Sequence, residues 1–301
     1  MRRALGLRAL GLQKLSGWLN ALRKALLPAQ ISERWQVRLP ALVRGTAPIP
    51  DALWHATLQR HPFLHSLTAD EQARLRELSA AFLSMKEFTG AGGLVVTDEI
   101  ALAVTVQAVR PLLHLAPHTG KRVLQWYDDF VGIVLHPDAV VAPREFTDEH
   151  GVVHHYDEEL AGEAMEGGPV MLSWRDVADA ATGAADGYNL VIHEFAHKID
   201  LRDGQPDGCP PLPSARARRA WIDTLHHEYE RFREQVIIAE RFSGPQPWLD
   251  AYGASAIDEF FAVACEAYFV QPQRLQADWP ALHALLAGFF DAPRAPDPSG
   301  P

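Results

Sequence analysis

Residues 193 to 197 read His-Glu-Phe-Ala-His. In the surrounding stretch, ADGYNLVIHEFAHKIDLRDG, Asp186 can cap a helix over about 187 to 200, and Asp203-Gly204 marks its end. On that helix His193 and His197 stand at i and i+4, so both imidazoles leave one face and can share a single cation, with Glu194 beside them. Zinc is the ion this pattern suits: it polarises a carbonyl and brings the pKa of water down towards about 7, where a neighbouring carboxylate can take the proton. The rival reading is coincidence in a chain with 14 His. Against it, Leu190, Val191, Ile192, Phe195, Ala196 and Ile199 make the helix apolar, and buried imidazoles and a carboxylate without compensation are costly. Lys198 is the residue that fits the zinc-peptidase pattern least.

A catalytic zinc needs a third protein ligand. Residues 258 to 266, Asp-Glu-Phe-Phe-Ala-Val-Ala-Cys-Glu, read as an apolar helix with three acids. Glu259 and Glu266 lie two turns apart on one face, while Asp258 is rotated by about 100° from Glu259. Spacing alone does not choose between Glu259 and Glu266. His154 and His155 are adjacent, would point to opposite sides of an extended chain, and are read as surface residues rather than ligands. The run 169 to 174 is a candidate edge strand for pairing with an extended peptide.

The elements that must position these groups show in the apolar periodicity. Residues 66 to 85 read as an amphipathic helix with Ser66 or Thr68 as cap and Leu75, Leu78, Phe82 and Leu83 on its inner face. The stretch 98 to 115 reads as a helix, with a buried strand competing for part of it. Further helices are expected at about 214 to 241, 256 to 270 and 279 to 290, and strands at 130 to 135 and 169 to 174, the latter two separated by a polar stretch containing His150, His154 and His155. Helices, a few strands and then helices predict an α+β domain over 35–291. Residues 1–34 form a basic segment and 292–301 a Pro-, Asp- and Gly-rich tail expected to be disordered.

The whole-chain balance excludes several classes. With 301 residues and 48% hydrophobic content the chain can bury its own core. A formal charge of −10 gives no general attraction to nucleic acid. Only Cys209 and Cys265 occur, so neither a disulfide scaffold nor a thiolate metal site is indicated, and a reducing cytoplasmic setting fits. Residues 1–30 hold six Lys or Arg and no acid. They read either as a basic amphipathic helix touching an anionic membrane surface through Leu5, Leu12, Trp18 and Leu22, or as a frayed tail. No run reaches the length of a membrane span.

Three blocks taken together resemble a known family: Leu-Ala-Gly-Glu-Ala-Met-Glu-Gly-Gly-Pro-Val-Met-Leu-Ser-Trp at 160 to 174, His-Glu-Phe-Ala-His-Lys-Ile-Asp at 193 to 200, and Asp-Ala-Tyr-Gly-Ala-Ser-Ala-Ile-Asp-Glu-Phe-Phe-Ala-Val at 250 to 263. They are similar to the Mlc titration factor A family of bacterial zinc peptidases, whose catalytic core is similar to that of anthrax lethal factor. The resemblance implies a zincin-like fold, His193, His197 and Glu259 as zinc ligands, Glu194 as general base, and Tyr252 as donor to the oxyanion. Asp200, and Glu266 as the acid left over, take supporting places behind the ligands, with helix capping the alternative for Asp200. It also implies aminopeptidase-like action on short peptides and, as a separate function, sequestration of a transcriptional repressor of sugar uptake.

Overall fold

A computed structural model describes residues 48–115, 120–147, 153–165, 167–183 and 187–291. The expectations for the basic N-terminal segment, for Asp186 as a cap and for the tail from 292 lie outside these residues. The chain enters through α1 (Asp51–Arg60) and α2 (Ala69–Met85). Of the two candidate caps, Ser66 and Thr68, it is Thr68 that starts α2: its hydroxyl accepts from the Glu71 N–H while the Glu71 carboxylate accepts from the Thr68 N–H, a reciprocal capping box. Leu75, Leu78, Phe82 and Leu83 are buried. After the short β1 (Glu87–Gly90), α3 (Asp98–Val109) is capped by Thr97 and buried on all sides from Ile100 onward. It stops before 115 because Pro111 cannot donate to a continuing helix, and the chain tightens into a 3-10 turn over Arg110–Leu112.

Strand β2 (Gly132–His136) follows, then β3 (Val140–Thr147) and β4 (Val153–Leu160), an antiparallel hairpin running from Val140↔Leu160 to Thr147↔Val153. From sequence this region is expected only as a polar stretch. Hairpin strands with polar residues on both faces carry no alternation of hydrophobicity to reveal them. His154 and His155 are consecutive in β4; their side chains, and all of His150, lie outside what is described. The hairpin falls in a separate compact unit from 48–139 and 161–291.

In that second unit β5 (Gly162–Ala164) and β6 (Val170–Ser173) complete a four-stranded sheet of order β1-β2-β6-β5, with β1, β2 and β6 parallel and β5 antiparallel to β6. This corrects the edge-strand expectation: β6 is an inner strand, buried at all four positions, and β5 is the edge on its side of the sheet, with β1 at the other. A three-residue strand is too short to leave a period in the sequence. Then come α4 (Trp174–Gly183), α5 (Leu190–Asp200), α6 (Ala215–Phe242), α7 (Ile257–Val270), α8 (Pro272–Asp278) and α9 (Pro280–Phe290). The α+β class holds, with helices around a small sheet. No helix among the described residues is long and apolar enough to cross a membrane.

The core passes through the back of α5. The Phe195 ring packs against Tyr127, Phe82 and Phe130 at centroid distances of 4.9, 5.8 and 5.9 Å. Burying those aromatic faces fixes the rotation of the helix about its axis, and so fixes where His193 and His197 point.

Candidate metal centre

Helix α5 starts at Asn189, whose side-chain oxygen accepts from the Ile192 N–H at 2.9 Å. Four and eight residues after the cap, His193 and His197 emerge on one face with their Nε2 atoms 3.2 Å apart. Helix α7 crosses in front and delivers Glu259, whose Oε2 lies 3.0 Å from His193 Nε2 and 3.3 Å from His197 Nε2. These are the only three His, Cys, Asp or Glu side chains among the described residues grouped closely enough to hold one ion. Four ligands about 2.0–2.1 Å from zinc in a tetrahedron stand about 3.3–3.4 Å from one another, so the three edges fit such an ion with little adjustment.

The donor chemistry points the same way. His193 Nδ1 is 2.8 Å from Glu266 Oε1 and donates its proton there, which leaves Nε2 as a lone pair facing His197 Nε2 and the Glu259 carboxylate. A cation in the middle resolves that arrangement. Without one, protons must take its place. Burial works against charge on His193 and His197, yet Glu259, and at His193 also Glu266, raise both pKa values. Partial burial would raise the Glu259 pKa, but its bonds to His193 and His197 hold it well below the ordinary carboxylate range.

The two acids that spacing left open are thus placed differently. Glu259 meets both imidazoles, while Glu266 stands on the far edge of His193, where its second oxygen accepts from the Asn189 N–H. Asn189 in turn donates from Nδ2 to Gln107 Oε1 at 2.8 Å, and Gln107 donates to Ala103 O within α3. A polar chain therefore runs from α3 through the cap of α5 and Glu266 to His193. Asp200, fully buried, accepts from the Gly208 N–H at 3.0 Å, and its other oxygen has no hydrogen-bond partner. Burial first, moderated by the Gly208 bond, pushes its pKa up to about 7. Asp258 is not brought into the cluster.

Glu194 is 4% exposed and lies against β5. A Cβ on Gly162 would stand 2.5 Å from Glu194 Oε1 and 2.8 Å from its Cγ and Cδ, so only glycine lets the strand come this close. Burial pushes the Glu194 pKa up to about 7; His193 and His197 pull it down, and Glu259 and Glu163 push it further up. Tyr252, in a 3-10 turn over Ala251–Ala254, is 48% exposed with its ring centroid 6.2 Å from that of His193. It stands at the open side of the cluster.

Lys198, the misfit of the sequence pattern, faces away from the ligands, one residue and about 100° round the helix from His197. Its fully buried ammonium donates to Asp129 Oδ2 at 2.8 Å, to Gly168 O at 3.1 Å and to Met165 O, and lies 4.7 Å from the Phe130 ring centroid. The charge braces the approach to β6 and is not aimed at the ion. Sequence reasoning missed Asn189, Gln107, Gly162, Glu163 and Asp129. Asn189 had a readable signal, a good cap three residues before Ile192; the rest acquire meaning only through contacts across 31 to 82 positions.

A small mixed sheet packed on a buried helix, with two of its imidazoles meeting a carboxylate from a second helix, defines the zincin-like class of metallopeptidase folds. The chain belongs to the glucose-regulated metallo-peptidase M90 family, whose model matches residues 33–291. Among curated proteins it is similar to Mlc titration factor A of Yersinia pestis (strain Pestoides F) and of Yersinia pseudotuberculosis serotype IB (strain PB1/+), each 30% identical over 240 residues, 79% of this chain and 84% of the relative.

Proposed function

We propose that the chain is a zinc-dependent peptidase of the cytoplasm that hydrolyses short peptides from the amino end. The observation that carries this is the set of three donor atoms 3.0 to 3.3 Å apart beside the buried Glu194 carboxylate. His193, His197 and Glu259 would hold the ion. Bound zinc would supply a Lewis acid for the scissile carbonyl and acidify the attacking water. Glu194 takes that water's proton and passes it to the leaving amine, a role suited to a carboxylate whose pKa of about 7 falls when positive charge enters the cluster. The Tyr252 hydroxyl donates to the developing oxyanion, a contribution of about 3 kcal/mol for one such donor. Glu266 holds the His193 ring and tautomer from behind. Asp200 supports the same end of α5, where its charge and that of His197 act on each other.

The test is metal analysis of the purified chain with peptide hydrolysis by wild type, Glu194→Gln and Glu259→Ala. Stoichiometric zinc is expected in the first two proteins and not in Glu259→Ala, with turnover in the wild type alone. A wild type free of zinc, or Glu194→Gln cleaving at the wild-type rate, sinks the reading. A second reading is favoured by the name of the relatives, which describes them as titrating Mlc: this chain would bind a transcriptional repressor without needing catalysis. In that case Glu194→Gln keeps the partner in a pull-down while losing turnover.

A further inference from the structure

Beside the cluster, on the Glu266 side, is a cavity of about 160 Å³. Its walls come from α7, through Val263, Glu266 and Ala267, and from two segments packed on that helix, Gly187-Tyr188 and Trp248-Leu249-Asp250. Val263 and Ala267 follow Glu259 at one and two turns, so the cavity continues the helix face that carries Glu259. Glu266, in its lining, is the residue bonded to His193, and Asp250, also in the lining, accepts from the Tyr252 N–H at 2.9 Å. Both groups that bound the cavity thus touch residues of the site. Gly187 is required there: its φ is +82° and a Cβ would come within 3.0 Å of the Trp248 ring.

The geometry points to this cavity as a specificity pocket for the substrate side chain next to the scissile bond, taking a medium-sized aliphatic group such as that of leucine. This assignment rests on the peptidase reading above. Size decides the upper limit, since a dry cavity of about 150 Å³ accommodates benzene, so an isobutyl group fits and an indole does not. Charge decides the rest. The lining holds two carboxyl groups, Asp250 and Glu266, and no cation, so an acidic side chain is repelled. The walls of Trp248, Leu249, Val263 and Ala267 reward apolar contact at about 25 cal/mol per Å².

Calorimetric titration with the hydroxamates of L-alanine, L-leucine, L-tryptophan and L-glutamate tests this without requiring turnover, on zinc-loaded wild type, Trp248→Ala and Ala267→Leu. The wild type is expected to bind the leucine compound at least tenfold tighter than the other three. Ala267→Leu fills the cavity and brings the leucine-to-alanine ratio below twofold, whereas Trp248→Ala opens it and improves the tryptophan compound at least fivefold relative to leucine. Should Ala267→Leu fail to fold, the half-exposed Trp248 provides the deciding variant. The assignment is overturned if the wild type binds none of the compounds or all four within twofold, or if Trp248→Ala leaves the leucine-to-tryptophan ratio unchanged. Peptides cleaved with such flat selectivity would remove the pocket and leave the peptidase; the expected selectivity with no cleavage of any peptide would do the reverse.

Discussion

His193 is held at both edges of its ring, by Glu259 at Nε2 and by Glu266 at Nδ1. Only the first edge faces the ion, so the two acids should fail differently when changed. Glu266→Gln presents an N–H to a donor, either His193 Nδ1 or the Asn189 amide, and loosens the ring without removing a ligand. Zinc affinity is expected to fall by about 10- to 100-fold in chelator competition, with most turnover restored at saturating zinc. A loss of zinc as complete as in Glu259→Ala would make Glu266 a ligand instead. Lys198 poses the opposite case, a buried charge that serves the fold. Lys198→Met strands the Asp129 carboxylate and the Met165 and Gly168 carbonyls, and should lower stability to urea by about 3 kcal/mol. An unchanged urea midpoint would show that the ammonium braces nothing.

At the scale of elements, the close approach of β5 to α5 is what gives Glu194 its dry, fixed position. Gly162→Ala tests it, because the added methyl would occupy space now held by Glu194 Oε1. Displacing a catalytic carboxylate by about 1 Å can cost on the order of 10²-fold in rate. The expected result is a fall of that order in kcat with the zinc content unchanged; retention of full activity would mean that Glu194 has other places to go. The cap of α5 belongs to the same scale. Asn189→Ala removes the acceptor of the Ile192 N–H and the donor to Gln107, and should cost about 1 kcal/mol for the cap alone, read as a lower thermal midpoint.

For the molecule as a whole, the buried core, rather than the ion, should carry stability, so chelation is expected to lower the thermal midpoint while leaving the far-ultraviolet circular dichroism of the helices intact. Lys86 adds a pH signature. Lys86 is 4% exposed, and its ammonium donates to Tyr127 O and Phe130 O at 2.5 Å each and lies 3.7 Å from the Phe130 ring centroid. Burial lowers its pKa from 10.5 to about 8, with Asp129 opposing the shift. Between these values the unfolded chain binds more protons than the native one, so unfolding free energy should rise with pH from about 8 to 10.5. The penalty stands in full below about 8 and is gone above 10.5. Lys86→Met should lack this slope; parallel pH profiles for the two proteins would contradict it.

The sequence by itself determined the helix that carries His193, Glu194 and His197, because a 3.6-residue period and an i, i+4 spacing are local properties that survive in one dimension. It also determined α2 and most of the long helices, for the same reason, while the choice of Thr68 over Ser66 as the cap of α2 came from the structure. Helix α3 was placed but overrun, since Pro111 ended it where apolar residues continued. What only the tertiary structure decided lies between elements. Glu259 and Glu266 share a face of α7, and nothing in their spacing says which imidazole edge each will meet; that depends on how α7 crosses α5. The edge of the sheet passed from β6 to β5 because three residues are too few to show a period. Lys198 looked out of place while only its neighbours in sequence were known, and found its partners 30 to 69 positions away. Local order is written along the chain, whereas partners, edges and cavities exist only once distant segments are packed together.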